Sequence, residues 1–255
     1  LAWGIPVLLL GLVVVGAAFY VGHRNRAYGL CGALLSLAVF AFASYPLQFP
    51  EFVVTGILLV ASCFLSERRQ SVWYKAVIWM LTLVSCAVYG YKYMERERAE
   101  DSWEVLRMYY YSEDYKQTVE RYEPLYESLS WNPKYLFEYA HAMHKEGRYE
   151  KSSVVMKEAM KHSSDAMILN ILGKNCQALG QYEKAEEWYI RSTHRLPNRL
   201  YSYYLLAKLY AEPGFYRPDK CRETIEKVLG WKPKVPSEAI EEMKRELETL
   251  KENLR

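Results

Sequence analysis

Cysteine is scarce in this 255-residue sequence, and charge is scarce in its first 94 residues. The chain has five cysteines, an odd number, and none stands in a CxxC pair or at a spacing typical of zinc ligands. They lie in apolar stretches or helical patterns, at Cys31, Cys63, Cys86, Cys176 and Cys221. This distribution predicts packing residues with at most one disulfide, and it argues against a structural metal site.

The sequence also lacks an initiator methionine, a basic leader and a cleavage site, and it opens on Leu1-Ala2-Trp3-Gly4. A secretory signal peptide would carry those features. We therefore expect the C-terminal piece of a longer membrane protein.

Charge divides the chain into two unlike halves. Up to Met94 there are six basic and two acidic residues, whereas charges are dense and nearly balanced from Glu95 onward. This predicts a membrane domain over residues 1–94, followed by a soluble domain. The net charge of +3 comes from the membrane half, where a basic excess in loops reports topology. It is therefore no evidence for nucleic-acid binding.

Four apolar stretches predict four transmembrane helices, over about residues 2–22, 27–45, 50–65 and 72–93. The third is short, because the run Phe52–Leu65 would reach only about 21 Å as a helix, against a hydrocarbon core of roughly 30 Å. It spans the bilayer only if Leu47–Glu51 contribute or if neighbouring protein shields it. A re-entrant segment is the alternative.

Topology depends on the stretch Ser44–Glu51, in which Pro46 and Pro50 predict a turn between two spans. The loops at 23–26 and 66–71 are basic, which predicts that they are cytoplasmic and that the turn at 46–51 is outside. Four spans would then place the soluble domain outside the cytoplasm. Loss of the third span would reverse that prediction.

Residues 91–100 alternate in charge and contain neither glycine nor proline. Because helix formers dominate here, we expect the fourth span to continue as a helix into the soluble half. This bridge is either a rigid stalk or an ordinary solvated face with ion pairs.

Residues 166–199 match a tetratricopeptide repeat, a helix–turn–helix unit of about 34 residues. The match lies in Leu172-Gly173, the run Gly180–Ala185, Tyr189 and Pro197. Weaker copies occupy about 99–132, 133–165 and 200–235. Four stacked units over 95–235 satisfy the minimum of three that such arrays need.

Residues 236–255 predict one more helix, with Ile240, Met243, Leu247, Leu250 and Leu254 at three- and four-residue spacing. We expect it to cap the array, and a partner-binding helix is the alternative. The predicted fold class is therefore all-α, with transmembrane helices followed by a tetratricopeptide-repeat α-solenoid.

In tetratricopeptide repeats, the first helix of each pair lines the concave face, which is what this resemblance implies for binding residues. Projecting that register gives a predicted groove set of Trp103, Arg107, Tyr110, Phe137, His141, His144, Asn170, Lys174, Gln177, Tyr201, Tyr204 and Lys208. Its aromatic and cationic groups suit a peptide or protein segment, or a sugar chain. The alternative is that tyrosine, abundant here, simply fills helix contacts.

No catalytic or metal-binding motif is evident in the soluble half. His141 and His144 are three residues apart on one helix, but no third ligand is positioned by the sequence. Serine, histidine and aspartate residues occur without motif context. We therefore predict no metal, no cofactor and no catalytic residue in this chain.

The membrane half resembles the end of the O-antigen ligase and O-antigen polymerase superfamily, in the Bacteroidetes type that carries C-terminal tetratricopeptide repeats. The resemblance lies in Gly4-Ile5-Pro6, which opens a span, and in Ser44-Tyr45-Pro46-Leu47, which closes the next. It covers residues 1 to about 93 and the order of the domains.

The resemblance implies a multi-pass protein of the bacterial inner membrane that joins or polymerises polyprenyl-diphosphate-linked glycans on its outer face. The family's catalytic arginines and histidine would precede Leu1. We expect the partners to be membrane lipid, the upstream part of the same protein and a ligand of periplasmic repeats. A non-catalytic membrane-anchored scaffold for envelope assembly is the second hypothesis, and a cytoplasm-facing repeat adaptor is the third.

Overall fold

A computed structural model shows that the described chain is entirely helical, which confirms the predicted all-α class. It describes residues 4–43, 50–65, 71–231 and 237–254, and side chains within 13–38, 53–65, 71–231 and 237–254. Most of the predicted turn at 46–51, the Ser44–Leu47 motif and most of the loop at 66–71 lie outside these residues, whereas Pro50 and Glu51 are helical. The chain divides into two compact units, Leu1–Glu97 and Arg98–Arg255.

The first unit contains three helices that pack on one another, followed by a long fourth helix. These are α1 Gly4–Arg24, α2 Tyr28–Ala43, α3 Pro50–Leu65 and α4 Val72–Tyr111. Ala18, Leu34 and Cys63 form the buried core of the three. A Cβ added at Gly22 would lie 2.9 Å from Cys31 Sγ, so only glycine fits where α1 approaches α2. None of the five cysteines is in a disulfide.

Among the described residues, α4 is the one helix that is long and apolar enough to cross a membrane, judged by length and composition. The apolar helical stretches Tyr28–Ala38 and Val53–Leu65 are shorter than that criterion requires. A multi-pass arrangement therefore stays a prediction. The charged stretch 91–100 lies within α4, so the helix is unbroken from Val72 to Tyr111.

The second unit contains shorter helices, most of which pack on the helix before and the helix after them in the chain. They are α5 Tyr115–Tyr122, α6 Tyr126–Leu129, α7 Pro133–Lys145, α8 Tyr149–His162, α9 Ala166–Ala178, α10 Tyr182–Arg195, α11 Leu200–Tyr210, α12 Pro218–Leu229 and α13 Glu238–Asn253. Polar caps begin several of these helices. Asn132 accepts hydrogen bonds from two backbone amides of α7, and Asp165 accepts one at the start of α9.

Three short turns share one backbone geometry. In each, a residue in the left-handed backbone conformation (positive φ) follows the end of a helix, and the chain then reverses direction. Gly147 (φ 74°) and Gly180 (φ 70°) take that position after α7 and α9. The next amide then bonds back to the helix, from Arg148 to Met143 and from Gln181 to Cys176, each at 2.8 Å. Glu113 (φ 61°) stands in the same position between α4 and α5, where a side chain is strained.

Tyrosine supplies much of the packing between these helices. Tyr122 and Tyr135 are fully buried and stacked, with ring centroids 5.4 Å apart. Tyr189 of α10 is also fully buried, and its ring lies against Gly173 of α9. These three tyrosines fill contacts between helices, and none of them belongs to the predicted groove set.

The last helix, α13, packs on α11 and α12 through its apolar stripe. Leu247 is fully buried there, whereas the carboxylates Glu241, Glu242 and Glu248 are exposed. A helix with one apolar and one charged face suits the end of a helical stack. Its role as a cap stays a prediction.

Candidate functional site: the inner helical face

The predicted groove set lies on four alternate helices of the second unit, namely the end of α4, then α7, α9 and α11. Its members differ in exposure. Trp103, Asn170 and Tyr204 are buried, and Lys208 is exposed. The remaining members are half-buried: Arg107, Tyr110, Phe137, His141, His144, Lys174, Gln177 and Tyr201. We call the partly exposed members and the residues bonded to them the inner face.

At the α4 end of the inner face, a buried carboxylate binds three groups. Glu138, 4% exposed, accepts from Trp103 Nε1 at 3.1 Å and from Tyr122 Oη at 3.2 Å. Arg107 donates to it from Nε and Nη2, at 3.1 and 3.0 Å to the same oxygen. Arg107 also donates to the Tyr111 hydroxyl and lies over the Trp103 ring. The charge of Arg107 is therefore neutralised within the fold.

The centre of the inner face is a stack of rings on α7. His141 lies between Phe137 and His144, with centroid separations of 6.0 and 6.4 Å. The Tyr110 hydroxyl is 2.8 Å from His141 Nδ1. Burial, with nearby Glu138, raises the pKa of Tyr110 to about 12, so this hydroxyl keeps its proton at neutral pH.

His144 is held by an amide on the next helix pair. Its Nδ1 is 2.6 Å from Asn175 Oδ1, and because that oxygen only accepts, Nδ1 carries the proton. Asn175 Nδ2 in turn donates to Ser152 Oγ at 2.9 Å, and this hydroxyl donates to the Ala140 carbonyl at 2.7 Å. The ring is therefore fixed in one tautomer while it is neutral.

A cleft of about 290 Å³ opens beside His144, and its lining comes from α7, α9, the start of α10 and the residues after α11. The residues that line it are His144, Lys174, Gln177, Ala178, Tyr182 and Glu212. Gln177 Nε2 donates to Glu212 at 2.8 Å, and Gln177 Oε1 accepts from Tyr189 at 3.0 Å. Lys174 Nζ donates to the Tyr201 hydroxyl at 2.7 Å.

The α11 end of the inner face is closed by α13. Glu246 accepts from the Tyr204 hydroxyl at 2.5 Å and from Lys208 Nζ at 3.2 Å. These bonds, with the charge of Lys208, lower the pKa of Glu246. A second depression of about 320 Å³ lies at this contact, and Leu247 and Leu250 are part of its wall.

Several residues that complete the inner face are absent from the predicted set: Tyr115, Glu138, Lys145, Asn175, Glu212 and Glu246. One signal for two of them is present in the sequence. A spacing of 31 residues relates Arg107 to Glu138, Tyr110 to His141, and His144 to Asn175. Pairing polar residues at that spacing would have identified Glu138 and Asn175.

The histidines make stability at acidic pH a testable property. Burial, aided by Lys145, His144 and Lys174, lowers the pKa of His141 from 6.5 to about 4. As the pH falls, His141 is therefore protonated near pH 6.5 in the unfolded chain but only near pH 4 in the folded chain. The contribution of His141 to the free energy of unfolding is fully present above pH 6.5, and it decreases as the pH falls from 6.5 to about 4.

We expect His141→Gln to flatten this dependence. Between pH 7 and pH 5 the thermal midpoint should fall less in the variant than in the wild type, measured by circular dichroism in detergent. His194→Gln, at an exposed position, is the matched control and should retain the wild-type slope. Equal slopes for His141→Gln and the wild type would contradict the assignment.

The described residues contain no group of three or more His, Cys, Asp or Glu side chains arranged to hold a metal ion. His141 and His144 have no third such side chain beside them in the described residues. Their hydrogen-bond partners are Tyr110 and Asn175, respectively.

Comparison with known proteins gives no match, either to a protein-family model or to a curated protein. The functional argument therefore depends on the geometry above and on the motifs in the sequence.

Proposed function

We propose that this chain is a membrane-tethered docking module, in which an apolar helical domain anchors a tetratricopeptide-like solenoid that binds a partner on its inner face. The supporting observation is α4. Within this single helix the apolar stretch that begins at Val72 is followed by Trp103, Arg107 and Tyr110, the first residues of the predicted groove set. One element therefore carries both the tether and the start of the binding surface.

The surface of α4 supports a lipid environment for its first half. Trp73 is 84% exposed, Leu83 66% and Val88 53%. A helix with large apolar side chains exposed on all sides is unfavourable in water and needs an apolar cover. Lipid supplies that cover without a further protein helix.

The turns support a repeat array in the second unit. Left-handed residues stand at Glu113, Gly147 and Gly180, spaced 34 and 33 residues apart (147 − 113 and 180 − 147). That spacing matches the period of tetratricopeptide repeats. The consecutive packing of α7, α8, α9, α10, α11 and α12 is what a stack of such hairpins requires.

The resemblance at Gly4-Ile5-Pro6 and Ser44–Leu47 supports a more specific proposal. The chain is the C-terminal part of a bacterial inner-membrane ligase or polymerase that uses polyprenyl-diphosphate-linked glycans, and its repeats are a periplasmic docking arm. This proposal assigns no catalytic residue to the chain.

A non-catalytic scaffold is the second candidate, and the bonding of the inner face favours it. Glu138, His144 and Gln177 each bond to neighbouring residues of the fold. Side chains fixed in this way present a shaped surface to a partner.

Cysteine labelling in cells tests the tether and the topology together. We expect Ser237→Cys, at the exposed start of α13, to react with a maleimide that crosses only the outer membrane. His23→Cys, in the basic loop, should react only after the inner membrane is permeabilised. Cys31, Cys63, Cys176 and Cys221 are buried, and the half-buried Cys86 is replaced by serine in both variants to keep the background low.

The opposite pattern, with position 237 protected until lysis, would refute the periplasmic docking arm. Recovery of the chain in the soluble fraction after alkaline extraction would refute the tether itself.

A further inference from the structure

Charge on the inner face is not balanced. Arg107 is paired with Glu138, and Lys208 with Glu246. Lys145 and Lys174, by contrast, form no ion pair with a carboxylate anywhere in the described part of the chain. Lys174 Nζ contacts the Tyr201 hydroxyl and lies 5.3 Å from the centre of its ring. Lys145 Nζ lies 5.6 Å from the centre of the Tyr115 ring.

The charge of these two lysines acts on the pKa of His141 and of His144. Burial is the largest cause of the lowered pKa of both His141 and His144, and the charges of Lys145 and Lys174 add to it in each case. No carboxylate acts in the opposite direction on either ring. Lys145 and Lys174 therefore make the surroundings of these two rings positive, and Glu212 is the carboxylate that lines the cleft together with Lys174.

The positive charge of Lys174 lies at the cleft beside His144. Its volume of about 290 Å³ holds one or two small rings, and Lys174 stands in its wall. Glu212 lines the same cleft, where Gln177 binds it. An anionic group in the cleft is therefore attracted to the Lys174 wall and repelled from the Glu212 wall, which fixes the direction of a ligand.

The side-chain amides of this surface already form hydrogen bonds within the fold. Asn170 and Asn175 are fully buried, the first bonded to Ser202 and the second held between His144 and Ser152. Gln177 is held between Tyr189 and Glu212. An extended peptide needs side-chain partners for its backbone amides and carbonyls, and here those groups are occupied. This disfavours a peptide as the ligand.

Part of one aromatic ring remains accessible next to Lys174. Tyr201 and Tyr204 are stacked with centroids 6.2 Å apart, and Tyr201, next to Lys174, is half-buried. The flat C–H face of a sugar ring packs on an aromatic ring, and its hydroxyls exchange hydrogen bonds with groups at the rim. While the His144 ring is neutral, the proton on Nδ1 leaves Nε2 as an acceptor for such a hydroxyl.

We propose that the cleft lined by α7, α9, α10 and Glu212 binds an acidic oligosaccharide, with its carboxylate or phosphate on Lys174 and a sugar ring against Tyr201, which lies next to Lys174. Lys145 contributes charge at longer range. This inference rests on the proposed docking function and gives its ligand a chemical class.

The test uses the full chain in lipid nanodiscs and isothermal titration calorimetry with three probes: tetragalacturonate, its methyl ester and maltotetraose 6-phosphate. We expect at least one acidic probe to bind and the neutral ester to bind at least ~10-fold more weakly, because a hydrogen bond to a charged group contributes about 1.5–3 kcal/mol. The two acidic probes distinguish a carboxylate ligand from a phosphate ligand.

Variants locate the site. Lys174→Met should weaken binding of the acidic probe about 10-fold, and Lys145→Met about 2–3-fold, since its charge is more distant and screened. Lys151→Met, at an exposed position on α8, is the matched control and should leave binding unchanged. Tyr201→Leu should weaken both the acidic probe and the neutral ester, because it removes the stacking surface.

Three outcomes would overturn the inference. They are the absence of binding by both acidic probes to folded protein, equal binding of tetragalacturonate and its ester, and an unchanged affinity in Lys174→Met. Tighter binding of a hexaglutamate peptide than of either acidic probe would identify a peptide site and refute it as well. The labelling of Ser237→Cys is independent of ligand, so a failure here is distinguishable from a failure of the docking function.

Discussion

Replacing Glu138 with alanine should lower the thermal midpoint of unfolding by about 6–12 °C. The carboxylate is 4% exposed and accepts from Trp103, Arg107 and Tyr122, so its removal leaves three donors without their acceptor. Removing one partner of a buried ion pair costs about 3–5 kcal/mol. Arg107 keeps some access to water, so we expect about 3 kcal/mol, and each kcal/mol shifts the midpoint by about 2–4 °C at this size.

The matched control is Glu158→Ala, which removes the carboxylate of an ion pair with Lys161 at the helix surface. Such exposed pairs contribute about 0–1 kcal/mol, so the midpoint should move by no more than about 3 °C. Glu138→Gln separates the contributions, because it keeps acceptor oxygen but removes charge. A midpoint of Glu138→Ala within 2 °C of the wild type would refute a structural role for this network.

Substituting alanine for Gly173 is the second change with a large expected effect. A Cβ at this position would lie 2.3, 2.6 and 2.9 Å from three atoms of the Tyr189 ring. That ring is fully buried between α9 and α10, so it cannot swing into solvent. Overpacking of this kind typically costs about 1–3 kcal/mol, and we expect the upper end of that range.

A double-mutant cycle with Tyr189→Ala tests this cause. In that background the added methyl meets no ring, so Gly173→Ala should cost nearly nothing or stabilise α9 by up to about 1 kcal/mol. Gly90→Ala in α4 is the control for the glycine-to-alanine change alone, because nothing lies within 4 Å of its added Cβ. A cost of Gly173→Ala that persists without Tyr189 would contradict steric overlap as the cause.

Much of the helical organisation could be predicted from the sequence, because it depends on short-range signals. The Gly147 and Gly180 turns, the Asn132 and Asp165 caps and the spacing of apolar residues each act within a few residues of one another. Such local signals can be recognised in the sequence without knowledge of tertiary packing. The all-α class follows from them.

The inner face is less predictable from the sequence. Helical periodicity indicates on which side of its helix a residue lies, but it does not indicate which residue of another helix it contacts. Helical register places Trp103, Asn170 and Tyr204 in the groove set, yet they are buried in the structure. The register gives no reason to include Glu138, because a single acidic residue in a helix normally faces solvent. Only the three-dimensional pairing across helices shows that it is enclosed.

The constant 31-residue spacing across α4, α7 and α9 has a consequence for how the chain tolerates insertions. Adding one residue in the turn at 112–114 would change the spacing of the pairs Arg107–Glu138 and Tyr110–His141, and adding one at 146–148 would change that of His144–Asn175. The seven-residue connection 211–217, which joins α11 to α12 through a 3₁₀ turn, maintains no such spacing. A fluorescent or affinity tag inserted there would leave the matched pairs of the earlier helices intact.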